Sequence, residues 1–161
     1  LLRSLLLQAL VFFLIFNAIS MLRETDMLSS SDDVVPNVHN LKTTANTDIA
    51  LTANGKKTIV YFFAPWCQIC NMSIDNLQNI YQKNPQINVV AVALDFVDDD
   101  EVLAFTSKHQ LTFPVAFGNE RVKADFKVQG YPSYYVLDGQ NTVVARSLGY
   151  STEIGLYLRT L

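Results

Sequence analysis

Cysteine is scarce in this chain: the 161 residues contain only two, and both fall in the segment Cys67-Gln68-Ile69-Cys70. A disulfide scaffold closes long loops with widely spaced cysteines, and that architecture is excluded. Clustered basic charge is also missing. The 12 Lys and Arg are outnumbered by 15 Asp and Glu, and no basic run is longer than Lys56-Lys57. Without a basic patch the chain lacks the electrostatic footprint of a nucleic-acid binder, and none is expected as a partner. The only histidines are His39 and His109, neither near the cysteines nor at a recognisable ligand spacing. A structural zinc ion asks for four protein ligands, so the pair reads as chemistry rather than half a metal site, and no metal is expected. Internal repeats and low-complexity tracts are absent as well.

What is present is apolar. Half of the residues are hydrophobic, ample for one core, and the length fits one domain plus an appendage. The appendage is Leu1 to Leu22, nearly all apolar, with Arg3 its only charge and Gln8, Asn17 and Ser20 its main polar interruptions. At ~1.5 Å per residue such a run reaches about the ~30 Å hydrocarbon thickness. It reads as a single transmembrane signal-anchor over 1–22 with its N-terminus in the cytoplasm. The first residue is Leu rather than Met, and further residues, basic ones among them, are expected upstream. A signal peptide cleaved after Ala18-Ile19-Ser20 is the rival reading, and it exports the rest equally well. A solvated linker is expected over 23–36 and the folded domain over 37–161.

Within the domain, short β-compatible pieces from Val38 to Leu51 and the turn signal Asn54-Gly55 predict a small N-terminal β element. A β-branched and aromatic run, Thr58 to Phe63, leads through Ala64-Pro65-Trp66 into the cysteine pair. Cys70, Ile74, Leu77 and Tyr81 then recur at helical spacing, predicting a helix that ends near Lys83-Asn84-Pro85. Ile87 to Leu94 is apolar without alternation, as in a strand buried on both faces. Asp98-Asp99-Asp100-Glu101 opens a helix through about His109; consecutive acids suit a helix N-terminus better than a metal site. Phe113–Phe117 predicts a short strand or connector and 119–126 a helix. Strands at Tyr134–Leu137 and Thr142–Ser147 are joined by the turn Asp138-Gly139-Gln140-Asn141, and a last helix follows from Thr152, capped by it or by Ser151.

Strand, turn and helix set Cys67 at a helix entrance, where free N–H groups and the helix dipole favour a thiolate. Cys70 lies one turn further in, facing the protein. An attacking thiolate with a resolving thiol in bonding reach is the chemistry of disulfide exchange.

Phe63-Ala64-Pro65-Trp66-Cys67-x-x-Cys70, with Gly130-Tyr131-Pro132-Ser133 before an apolar strand, resembles the active-site elements of the thioredoxin superfamily. The surroundings most resemble its membrane-anchored bacterial envelope branch, the TlpA-like disulfide oxidoreductases, ScsD-like proteins among them. The resemblance runs from about Val34 to the C-terminus. It implies an α/β thioredoxin-like fold, a central mixed β-sheet flanked by helices, behind an N-terminal transmembrane helix. It implies a thiol-disulfide oxidoreductase in the bacterial inner membrane, single-pass, with its catalytic domain in the periplasm. Protein disulfides and thiols are the expected clients, a membrane electron-transfer protein the expected redox partner, and no cofactor is needed beyond a redox-active Cys67–Cys70 disulfide.

The resemblance also implies a cis bond at Tyr131-Pro132, with Tyr131 pairing to substrate and Trp66 offering it an apolar contact. Taken alone, Pro132 reads as an ordinary turn proline, since X-Pro bonds are trans in the large majority of cases. Where thioredoxins proper carry a buried acid in the strand before the motif, this chain has Tyr61. Asp95, after the next strand, is the candidate acid/base, with a strand-end turn residue or helix cap as the plainer reading. Asn71-Met72-Ser73 departs from the carboxylate or proline common after the pair. The dipeptide Gln68-Ile69 fits an intermediate to reducing potential. An oxidase or isomerase, and a non-enzymatic copper(I)-binding thiol module, are the alternative functions.

Overall fold

The computed structural model describes residues 2–24, 27 and 40–161. In chain order the elements are α1 (Leu2–Glu24), β1 (Asn40–Lys42), β2 (Asp48–Ala50), β3 (Lys57–Phe63), α2 (Gln68–Lys83), β4 (Ile87–Ala93), α3 (Asp99–Lys108), β5 (Val115–Phe117), α4 (Glu120–Asp125), β6 (Ser133–Leu137), β7 (Val143–Leu148) and α5 (Glu153–Arg159). The predicted elements of the domain are all present, with boundaries shifted by a residue or two. His39, most of the expected linker and the 37 boundary lie outside the described residues, and α1 continues through Arg23 and Glu24 of that linker. Met27, within that linker stretch, is buried, and its carbonyl accepts a hydrogen bond from Arg146 on β7.

β3 is the centre of a five-stranded sheet ordered β5-β4-β3-β6-β7. It runs parallel to β4 and antiparallel to β6. Its side chains alternate between faces, as a strand's must. Ile59, Tyr61 and Phe63 enter one core cluster with Ile74, Leu77 and Ile80 of α2 and Phe105 of α3. Val60 and Phe62 enter the other, with Phe126, Tyr135 and Leu137. Burial on both faces explains the unbroken apolar run of the sequence. Each such side chain contributes about 1.5–3 kcal/mol by leaving water.

The helix starts follow the capping chemistry. Asp98 accepts the Glu101 N–H at 3.0 Å and caps α3, as the acidic run predicts. Thr152, rather than Ser151, caps α5. β1 and β2 pair as a small antiparallel hairpin. The hairpin reaches the outer edge of β5 through a Thr43–Ala116 bridge and a Thr44 N–H bond to the Val115 carbonyl at 2.8 Å.

α1 coincides with the apolar N-terminal run and exposes Leu5, Leu6, Phe12 and Phe13 among others. Among the described residues no helix is long and apolar enough to cross a membrane. The transmembrane helix expected from the sequence is therefore not part of the established fold.

Candidate active site

Sheet topology brings three distant segments to one rim. The parallel register pairs Phe63 with Ala93, and the antiparallel register pairs Phe62 with Ser133. The exits of β3 and β4 and the entrance of β6 therefore meet at the same end of the sheet. Cys67 follows the first, Asp95 the second, and Tyr131-Pro132 precedes the third.

Cys67 is the N-cap of α2, and its sulfur accepts the Cys70 N–H at 3.2 Å. The sulfur thus faces the unpaired donors of the first helical turn, which stabilise negative charge. Cys67 and Cys70 are joined as a disulfide. Cys70 is completely buried and Cys67 is 7% exposed, so the predicted order of accessibility holds by a small margin. Trp66 beside them is 62% exposed. Ile69 and Met72 extend this apolar rim.

Asp95 ties the rim together. It takes the left-handed conformation, φ 50°, at the end of β4, which aspartate tolerates better than most residues. Its backbone carbonyl accepts the Trp66 indole N–H at 2.8 Å. Its carboxylate accepts two bonds from Lys123 at 2.7 Å and one from the Tyr131 hydroxyl at 2.9 Å. Burial pushes the Asp95 carboxyl up, but the Lys123 and Tyr131 hydrogen bonds and the lysine charge outweigh it and hold the group below the usual carboxylate range. The Trp66 and Tyr131 rings meet edge to face, centroids 6.0 Å apart. The Tyr131-Pro132 bond is cis.

Beneath the disulfide lie neutral hydroxyls. Tyr61 is fully buried, its hydroxyl 3.2 Å from Ser73 Oγ and its ring 4.9 Å from that of Tyr134. Burial, reinforced by Tyr134, pushes the Tyr61 hydroxyl well above the ordinary tyrosine range. Burial also pushes Tyr134 up to about 12. This cluster holds its protons near neutral pH and supplies no base.

Two sets of neighbours escaped sequence reasoning. Lys123 comes from α4, 28 residues from Asp95 in the chain. His109 is the C-cap of α3, and its ring reaches Asn71 and Asp75 on the motif helix. No spacing rule links these positions. Among the described residues no group of three or more His, Cys, Asp or Glu is placed to hold a metal.

A Cys-x-x-Cys disulfide at the head of the helix after the central strand, in this sheet order, defines the thioredoxin-like fold class, and the domain is of that class. The chain belongs to the AhpC/TSA family, which matches residues 32–146. It is similar to the thioredoxin-like protein YneN of Bacillus subtilis, 30% identical over 105 residues that make up 63% of this chain and 61% of that protein. It thus spans less than two thirds of that relative. It is also similar to sporulation thiol-disulfide oxidoreductase A of Bacillus subtilis, 25% identical over 123 residues, 73% of this chain and 74% of that protein. The crystal structure of StoA from Bacillus subtilis matches with a TM-score of 0.71 at 25% identity, covering 80% of this chain and 99% of that one.

Proposed function

We propose that the chain reduces protein disulfides through the Cys67/Cys70 dithiol. The observation that carries this reading is the Cys67 sulfur at the α2 entrance, bonded by the Cys70 N–H and rimmed by exposed Trp66. In the reduced form, the Cys67 thiolate attacks one sulfur of a client disulfide. An S–S bond to the client forms, the client's own S–S bond breaks, and its second sulfur leaves as a thiolate. The Cys70 thiolate, its proton passed to solvent, then attacks Cys67 Sγ, which releases the first client sulfur and closes Cys67–Cys70. Two electrons pass to the client, and its two thiolates take up protons. The sulfurs themselves store the electrons, so no bound cofactor is needed.

Trp66 and Tyr131 form the client-binding lip in this reading. Among the described residues the backbone N–H and C=O of Tyr131 make no backbone hydrogen bond, which leaves them available to an extended client segment beside cis Pro132. Asp95 serves as an ionised positioning residue. An acid/base role for it would require breaking its bonds to Lys123 and Tyr131.

The finer assignment belongs to the same proposal: a TlpA-like, ScsD-like protein of the bacterial inner membrane, anchored through 1–22, with the domain in the periplasm. The outward apolar side chains of α1 and the hairpin before β3 support it. A membrane electron-transfer protein then resets the dithiol. The test is insulin reduction driven by dithiothreitol. The chain should accelerate precipitation and Cys67→Ser should abolish the effect. No acceleration, together with stoichiometric copper(I) uptake by the reduced protein, would replace the proposal with the copper-binding module.

A further inference from the structure

Asn71, one turn after Cys67, sits between the motif helix and the end of α3. Its Nδ2 donates to the Cys67 carbonyl at 3.0 Å and, longer, to the Pro65 carbonyl at 3.4 Å. Its Oδ1 faces Lys108 Nζ at 2.7 Å and His109 Nε2 at 3.1 Å. An ammonium cannot donate to an amide nitrogen, and a carbonyl cannot accept from an amide oxygen, so the Asn71 amide has one orientation. His109 Nε2 bonds that oxygen only when it carries a proton. Nδ1 faces Asp75 Oδ1 at 2.9 Å, and a carboxylate only accepts, so that bond too needs a ring proton. Both bonds form together only on the imidazolium. Its side chain is 8% exposed, with the ring 4.7 Å from that of Phe105. The charged groups bonded into the junction are Asp75 from α2 and Lys108 from α3.

We propose that the His109 imidazolium is a positioning residue for Cys67, holding the Cys67 carbonyl through Asn71 and setting a titratable cation beside the α2 entrance, so that the Cys67 thiolate forms more readily while His109 is charged. The inference rests on Cys67 being the attacking sulfur. Its sign follows from electrostatics: a nearby cation favours a thiolate over a thiol. When His109 loses a proton, one ring nitrogen turns a lone pair toward an acceptor oxygen. Either the Asn71 or the Asp75 bond is then lost, and the junction keeps Lys108 alone. The ring stays packed against Phe105, losing only the attraction of a cation for the aromatic face, so what changes is charge and amide position.

The coupling is measured on the reduced full chain, as the alkylation rate of Cys67 by iodoacetamide at about pH 5.5, where an unperturbed histidine is charged. His109→Gln should slow it by about two- to fivefold, the range of one partly screened charge pair. His109→Arg, which keeps charge and donors, should restore the rate. Histidine proton NMR gives a second readout. By reciprocity, reduction to the Cys67 thiolate should move the His109 titration upward in pH. A Gln variant as fast as the wild type, an Arg variant as slow as Gln, or a His109 titration identical in both redox states overturns the proposal. Failure of the wild type to reduce insulin overturns the oxidoreductase reading alone, because alkylation and titration still report the coupling.

Discussion

Asp95 serves the rim with two chemically distinct groups, a backbone carbonyl for Trp66 and a carboxylate for Lys123 and Tyr131. Asp95→Asn separates them, because asparagine also tolerates the left-handed backbone and leaves the carbonyl in place. The expected cost in stability at neutral pH is below ~1 kcal/mol, since the ion pair is partly solvated. KM for a protein disulfide should rise more than kcat falls, because the Tyr131 hydroxyl loses its strongest anchor. The pH dependence has a definite sign. The folded carboxyl titrates below its ordinary value, so its stabilisation is complete above about pH 4 and is lost as pH falls through the folded value. Urea unfolding at neutral pH and at about pH 3 should show the gap between wild type and Asp95→Asn closing in acid. A gap of the same size at both pH values would detach the carboxylate from this role.

At the scale of elements, α2 both carries the disulfide and closes the core. Cys70, Ile74 and Leu77 share one buried face against β3. Leu77 is completely buried, so Leu77→Ala should destabilise by about 2–5 kcal/mol, read as a lower urea midpoint at unchanged slope. Unchanged stability would mean that α2 is not held by its apolar face. That face was legible in the sequence because helix periodicity and burial obey the same three- and four-residue spacing. β3 and β4 were legible as unbroken apolar runs, and the Tyr131-Pro132 loop through its resemblance to a known element. Lys123, Lys108 and His109 were not. They are ordinary surface residue types on short helices, brought to the rim by sheet order, and local sequence carries no record of a partner 28 or 38 residues away. Asn71 read only as a departure from relatives, whereas its amide is the hinge between α2 and α3.

For the molecule as a whole, the N-terminal run carries the proposed anchor. If 1–22 anchors the chain, the protein sediments with membranes and resists carbonate extraction; recovery in the soluble fraction would remove the anchor and leave the dithiol chemistry intact. The hairpin of β1 and β2 bears on a different hazard. A bare strand edge is a template on which any extended polypeptide can add itself. The Thr43–Ala116 bridge and the Thr44–Val115 bond occupy that template along β5. An unfolded chain drifting against this side of the molecule finds its backbone partners already spoken for, which guards the β5 edge against growing into a fibre.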